Sequence, residues 1–345
     1  MIAGSLYVGI MTPGTTSRMR ADTLVRVTKT PWSFVDTDAP FLAGGRLWRS
    51  AAFRWKLGPI VRRINQCVLD AVASGVMFDA VWVDKGVYLW PETVKRLRAN
   101  AQRLIYYTPD TSFFANRSRH FNRSIYLYDL VVTTKSFEID HFRTYLPDDR
   151  IHLTTQAFDP GLHAPSETTI TRRADVAFIG LCEPDRERAV ATLLHASIPV
   201  RVGGRGWNRF RSKFADHPCF TFIGERVFSD EYVNTYRTAS VGLGLLSKRF
   251  PELHTTRTFE IPACRTVLAT ERNADTARFF DSVDVLFFES YDDLADRLRT
   301  LLANSDAVER MAERGYARVA GGGFSYDDVV GEIFRAAGGC GERHG

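Results

Sequence analysis

The stretch His254-Thr-Thr-Arg-Thr-Phe-Glu-Ile-Pro-Ala-Cys264, followed by Arg265-Thr-Val-Leu-Ala-Thr-Glu271, decides how this chain is read. An apolar run, Ala239-Ser-Val-Gly-Leu-Gly-Leu-Leu246, precedes it, and Thr266-Val-Leu-Ala269 reads as a second short strand. A polar loop with a histidine, two threonines and an arginine therefore opens a short helix between two buried parallel strands. The first turn of such a helix offers unsatisfied N–H groups and a positive dipole to the crevice. A cationic Arg257 with the hydroxyls of Thr255 and Thr256 suits a diphosphate, and the Glu260 carboxylate one turn on suits a sugar or ribose hydroxyl. A plain amphipathic helix burying Phe259, Ile261 and Ala263 is the competing reading, but it has no need of His254, Arg257 and Glu260 together.

Working outward, the chain shows two αβ series. The first runs through strand Ser5–Met11, helix Ala21–Val27, a strand near Ser33–Val35 and a basic amphipathic segment, Gly45–Ser74. Strand Phe78–Val83, helix Pro91–Arg98, strand Arg103–Tyr107, strand Asp129–Thr134, helix Phe137–Leu146 and strand Ile151–Thr155 complete it. The breaker-rich Asp159–Thr169 reads as a linker. The series restarts with strand Ala174–Ile179, helix Arg186–Ala196, strands Pro199–Val202 and Cys219–Ile223, and helix Asp230–Ala239. The 240s strand, the motif helix, strand Val267–Thr270, helix Asn273–Phe280, strand Val285–Phe288 and helix Ser290–Ala303 follow, and helix Tyr326–Ala336 closes the chain. Short apolar runs alternating with helices predict parallel sheets covered on both faces. The expectation is α/β, two Rossmann-like domains facing across a cleft: residues 1–165, residues 170–325, and a helix in 326–345 crossing back to the first domain. In that helix Val329, Val330, Ile333 and Phe334 follow helical spacing and call for a partner surface.

Composition sets the outer bounds. The 345 residues carry 45% hydrophobic and 25% charged side chains, with a formal net charge of +5, which suits phosphorylated ligands or an anionic surface without choosing between them. Five scattered cysteines (67, 182, 219, 264 and 340) have no metal-ligand spacing, which favours reduced thiols and a cytoplasmic location. Ser5–Met11 is too short for a signal core, and no apolar run approaches the ~20 residues that cross a bilayer. No permanently bound cofactor and no metal are expected.

The wording around His254 resembles the donor-site helix of GT-B glycosyltransferases, most closely the CgeB-like group, whose typical form is near "H-T-x-R-T-F-E-I-P-A". Phe178-Ile-Gly-Leu-Cys-Glu-Pro-Asp-Arg186 and Pro199-Val-Arg-Val-Gly-Gly204 resemble two further elements of that group. The resemblance implies a metal-independent enzyme (a hexosyl- or related transferase) that moves sugar from a nucleotide-diphosphate sugar, UDP-linked in the first instance. His254, Thr255, Thr256 and Arg257 would then hold the diphosphate, and Glu260 a sugar or ribose hydroxyl. Gly180 would let the backbone approach the donor, Arg186 or Arg188 at the helix entrance and Lys248 would reach phosphate, and Glu225, Arg226 and Val227 would line the base pocket. Glu252 and Glu260 share the spacing of the paired glutamates in retaining members, although the loop at Glu252 departs from the family wording.

In the first half, Gly14-Thr-Thr-Ser-Arg18 is a glycine and hydroxyl loop at a helix start, able either to hold a phosphate or to cap the helix. Tyr106-Tyr-Thr-Pro-Asp-Thr-Ser112 resembles the family's "P-D-D" element with Thr111 in place of the second Asp. Asp110 is then either the catalytic base that deprotonates an acceptor or a turn residue. The acceptor stays open among a glycan, a lipid-linked sugar, a protein and a small metabolite. Trp48, Phe53 and Trp55 among Arg46, Arg49, Arg54 and Lys56 suggest peripheral membrane contact or simple aromatic burial, and no nucleic-acid motif occurs. A non-catalytic sugar-nucleotide or polyanion binding module of the same fold is the alternative; a nucleotide-dependent epimerase or dehydrogenase is disfavoured by the poor glycine fingerprint at Val202–Gly206.

Overall fold

The computed structural model describes residues 4–168 and 170–341. Thr169, the last residue of the expected linker, lies outside that description. Among the described residues, twelve strands form two six-stranded sheets, and every pairing between them is parallel. In chain order they are β1 Ser5–Gly9, β2 Trp32–Asp36, β3 Phe78–Asp84, β4 Ala101–Thr108, β5 Leu130–Thr133 and β6 Ile151–Leu153. The second sheet holds β7 Arg173–Ile179, β8 Val200–Gly203, β9 Phe220–Gly224, β10 Ala239–Leu243, β11 Val267–Glu271 and β12 Leu286–Phe288. The chain divides into two compact units, one of residues up to Thr155 together with those from Asp327 on, the other of Gln156–Tyr326.

The first unit orders its strands β2-β1-β3-β4-β5-β6. This is the flavodoxin-like arrangement with one strand added, so the chain reverses direction across the sheet between β1 and β3. Leu6, Val8, Val81, Val83, Leu104 and Val131 are fully or almost fully buried, as strands covered on both faces require. The segment expected as one basic amphipathic stretch is two helices, Arg46–Trp55 and Pro59–Ala71, broken at Gly58, whose φ of 102° suits glycine. The final helix, Tyr326–Gly341, packs Phe334 against Trp82 in a stacked contact at 6.2 Å and against Trp32 edge-on at 6.2 Å, while Asp327 pairs with Arg26.

The second unit is ordered β12-β11-β10-β7-β8-β9. Renumbered within the unit this is the reversed 3-2-1-4-5-6 order of dinucleotide-binding sheets, with the switch point between β7 and β10. Ligands of such sheets bind outside the carboxyl ends of the strands at that point, which are Ile179 and Leu243 here. The motif helix, Arg257–Ala263, lies over the sheet because Gly242 on β10 leaves room. A Cβ there would stand 2.7 Å from Ile261 Cγ2 and 2.9 Å from Tyr236 Cδ1. It ends where Arg265 turns left-handed at φ 57°, with the Thr266 N–H returning to the Ile261 carbonyl and the Arg265 N–H to Pro262. Among the described residues no helix is long and apolar enough to cross a membrane.

Candidate active site

At the switch point of the second unit, β7 delivers the buried ring of Phe178 and ends at Ile179, with Gly180 next in the chain. The following helix, Pro184–His195, turns Arg186 back toward the strand ends. Its Nη1 donates to the Leu181 carbonyl at 3.1 Å and its Nη2 to the Leu245 carbonyl at 3.3 Å. Arg257, the first residue of the motif helix, arrives from the other side. Its Nη2 donates to the same Leu245 oxygen at 3.3 Å and its Nη1 to the Ile179 carbonyl at 3.4 Å. Both guanidinium groups lie over the Phe178 ring, 5.7 and 5.4 Å from its centroid.

Two like charges thus share one carbonyl and one aromatic face. Burial, and next the charge of Arg257, push the Arg186 guanidinium down to about 10. The buried carboxylate of Glu183 offsets part of this, 3.4 Å from Arg186 Nη1 and accepting the Ser247 hydroxyl at 2.8 Å. Arg186 Nε, Arg257 Nε and Thr255 Oγ1 are all shut from water and have no hydrogen-bond partner among the described residues. Each unsatisfied buried polar group costs about 1–3 kcal/mol. Paired cations plus orphaned donors are relieved when an anion with several acceptor oxygens arrives.

Glycine is required beneath these arginines. A Cβ on Gly180 would stand 2.7 Å from Phe178 Cζ and 3.5 Å from Arg257 Nη1. Gly204, at φ 119°, packs so closely that its Cβ would fall 2.2 Å from the Gly180 oxygen, which also accepts from Trp207 Nε1 at 2.9 Å. Val202–Gly206 is accordingly a strand end and turn that seats the fully buried Trp207.

The other expected donor-side residues are placed as follows. His254, expected at the diphosphate, has both ring nitrogens engaged: Nδ1 lies 2.7 Å from Asp275 Oδ2, and Nε2 accepts from the Gln156 N–H at 3.2 Å. That acceptance leaves the ring proton on Nδ1, directed at Asp275. Glu260 is buried and accepts the Tyr232 hydroxyl at 2.5 Å, with His163 Nε2 at 3.8 Å from its other oxygen. Burial and then the Glu260 charge drive the Tyr232 hydroxyl well above its ordinary range, keeping it a donor. Thr256 is the half-buried cap residue of the motif helix. Lys248 pairs with Glu271 at the surface, Glu252 accepts the Ser247 N–H at 3.4 Å, and Glu225 and Arg226 are exposed beside buried Val227.

In the first unit, Gly14 adopts φ 79° in a loop where Thr15 caps helix Thr16–Thr28 by accepting from the Arg18 N–H, and Thr12 donates to Asp38 at 2.6 Å. Arg18 is committed to Asp22 at 2.9 Å. Asp110, past the end of β4, forms an ion pair with Lys85 Nζ at 2.7 Å. Burial would raise its pKa, but Lys85, Lys135 and Arg20 together hold it below the usual carboxylate range. The loop is fixed from behind by Glu138, a fully buried carboxylate accepting the Ser112 and Phe113 N–H groups at 2.9 and 2.8 Å. Lys85 and Glu138 escaped the sequence reading. For Lys85 a signal existed in Asp84-Lys85-Gly86 directly after a buried strand, where the chain must turn at the carboxyl edge; Lys85 takes φ 56° there.

Residues 186–335 match the family model described as glycosyl transferase-like. No curated protein matches the chain by sequence. Among solved structures it is similar to a glycosyltransferase from Rickettsia africae, with TM-score 0.68, 11% identity and 100% of each chain covered. It is also similar to sucrose-phosphate synthase from Thermosynechococcus elongatus, with TM-score 0.65, 14% identity and coverage of 96% of this chain and 98% of that one. Anabaena HepE in complex with UDP-glucose aligns at TM-score 0.64 and 12% identity, covering 97% and 99%. The two Rossmann-like domains are those of the GT-B fold, which at such identities is what the likeness establishes.

Proposed function

We propose that this chain is a glycosyltransferase that binds a nucleotide-diphosphate sugar, UDP-linked in the first instance, on its second unit and transfers the sugar to an acceptor held by the first. The observation that carries this reading is the convergence of Arg186 and Arg257 on the Leu245 carbonyl, at the switch point of a dinucleotide-type sheet. The glycosyl transferase-like match over residues 186–335 and the UDP-glucose complex of Anabaena HepE support it. Charge builds on the leaving diphosphate as the glycosidic bond breaks, and preorganised cations aimed at that charge stabilise the transition state. Arg186, Arg257 and the Thr255 hydroxyl supply this stabilisation and take the part a metal ion would otherwise play. His254, held by Asp275 and Gln156, positions the loop that precedes the motif helix. Glu260 keeps acceptor capacity on Oε1 for a sugar or ribose hydroxyl. Asp110 is the base, ionised at neutral pH because Lys85 holds its pKa down.

One observation favours the non-catalytic binding module. A carboxylate already paired with Lys85 at 2.7 Å is a weaker base than a free one. Release of UDP from UDP-glucose, followed by chromatography with and without a chelator, separates the readings. Slow hydrolysis that survives chelation supports the transferase. Tight UDP binding without any donor cleavage supports the binding module, and loss of activity on chelation refutes the metal-independent mechanism.

A further inference from the structure

Helix Arg46–Trp55 in the first unit buries only Ala52 fully. Its apolar residues are turned outward instead: Leu47 is 84% exposed, Trp55 66%, Phe53 65% and Trp48 53%, continued by Leu42 at 66% and Leu57 at 57%. Leu47, Trp48, Ala51 and Trp55 recur at helical spacing and make one stripe along the helix. So large an apolar surface left in water marks a contact site.

Charge selects the partner. No acidic residue occurs between Asp38 and Asp70, whereas Arg46, Arg49, Arg54, Arg62 and Arg63 are all exposed. None of these five forms an ion pair among the described residues. Lys56 is withdrawn from the set. Its ammonium donates to the Phe53 carbonyl and sits over the Phe53 and Tyr88 rings at 5.0 and 5.1 Å, and burial lowers its pKa. A second copy of this chain would bring arginine against arginine. A nucleic acid would satisfy the arginines but leave Leu42, Leu47 and Leu57 in water. An anionic bilayer satisfies both sets, with indole rings and leucines at the acyl boundary and guanidinium groups among the lipid phosphates.

We propose that helix Arg46–Trp55, with Leu42, Leu57 and the arginines of helix Pro59–Ala71, docks this protein on an anionic membrane surface. The helix lies in the interface plane and does not cross it. Gly58 supports the arrangement by giving the Trp48 ring a flat backbone to rest on, since a Cβ there would stand 3.2 Å from Trp48 Cε3.

Co-sedimentation of the full chain with vesicles of phosphatidylcholine alone, and with vesicles containing phosphatidylglycerol, tests this. The protein should pellet with the anionic vesicles, with a blue shift of tryptophan emission, and stay in solution with the neutral ones. Trp48→Ser/Trp55→Ser should weaken binding by about tenfold or more, and each of Arg46→Gln, Arg49→Gln and Arg54→Gln by roughly fivefold. Leu47→Gln, at the most exposed of these positions, cannot disturb a core and should weaken binding without moving the melting temperature. Equal behaviour toward both vesicle types, or variants that bind as tightly as the native chain, would overturn the proposal.

Discussion

Replacing Arg257 with Met should separate ligand binding from folding in a way a structural arginine could not. In the unliganded protein Arg257 makes two bonds to neutral carbonyls, at 3.3 and 3.4 Å, and each, with a charged donor but a long distance, is worth about 1.5 kcal/mol net. Against them stands repulsion from Arg186, whose guanidinium lies 3.3 Å from the same Leu245 oxygen. Each donates to that oxygen at 3.3 Å, so the two nitrogens are at most about 6.6 Å apart, and two unit charges that close repel by about 2.5 kcal/mol or more at an effective dielectric near 20. Methionine keeps the contact with Phe178 and removes the charge, so the unliganded stability should change by no more than about 1 kcal/mol, and in either direction. Ligand binding should behave differently. Losing one or two charge-assisted bonds to a diphosphate costs about 2–4 kcal/mol, roughly a 30- to 1000-fold rise in Kd. Isothermal calorimetry with UDP and scanning calorimetry of the free proteins give both numbers. Unchanged UDP affinity together with a fall of several kcal/mol in stability would show that Arg257 is a structural residue and refute the reasoning.

Two further outcomes follow from the strand ends. Lys85→Met should raise the pKa of Asp110, because burial then acts against fewer cations; carboxyl NMR titration reads it directly. Since the native Asp110 pKa is depressed, its contribution to stability is complete above the unfolded value and is lost only as pH falls through the folded one. The unfolded chains titrate alike at this residue, so the difference between native and variant stability should be constant above the variant's folded pKa and shrink as pH falls from there through the lower native one. An Asp110 titration identical in both proteins would refute this. Gly204→Ala forces a Cβ to 2.2 Å from the Gly180 oxygen at φ 119°, so it should lower both the melting temperature and UDP affinity, by about 2 kcal/mol or more in stability. A variant that melts like the native protein would mean the junction yields easily.

Most of the fold was legible because parallel strands buried on both faces write themselves as uninterrupted apolar runs. Val241, Leu243, Val267 and Ala269 are such positions, and each is fully or almost fully buried. Elements set by polar local bonds were not legible in the same way. Asn273–Phe280 reads as an eight-residue helix, yet only Thr276–Phe279 is helical, because the Asn273 side chain takes the Asp275 and Thr276 N–H groups and holds the chain in a turn. Phe137–Leu146 likewise breaks into two short pieces, Ser136–Glu138 and Ile139–Arg143, since Glu138 is drawn inward to bind the 110s loop. At the candidate site, Gly180, Arg186 and Arg257 were readable singly, as a strand end and two helix starts. The acceptor shared by the two arginines, the Leu245 carbonyl, was not, for a backbone carbonyl leaves no mark on the residue that carries it. The occupation of His254 by Asp275 and Gln156 also escaped, because those partners lie 21 and 98 residues away.

The most direct measurement is a crystal structure of the protein with UDP. The account predicts density for the diphosphate within hydrogen-bond reach of the Arg186 and Arg257 guanidinium groups at the ends of β7 and β10. Density for UDP at any other place on the chain, with these two arginines still resting on the Leu245 carbonyl, would contradict it.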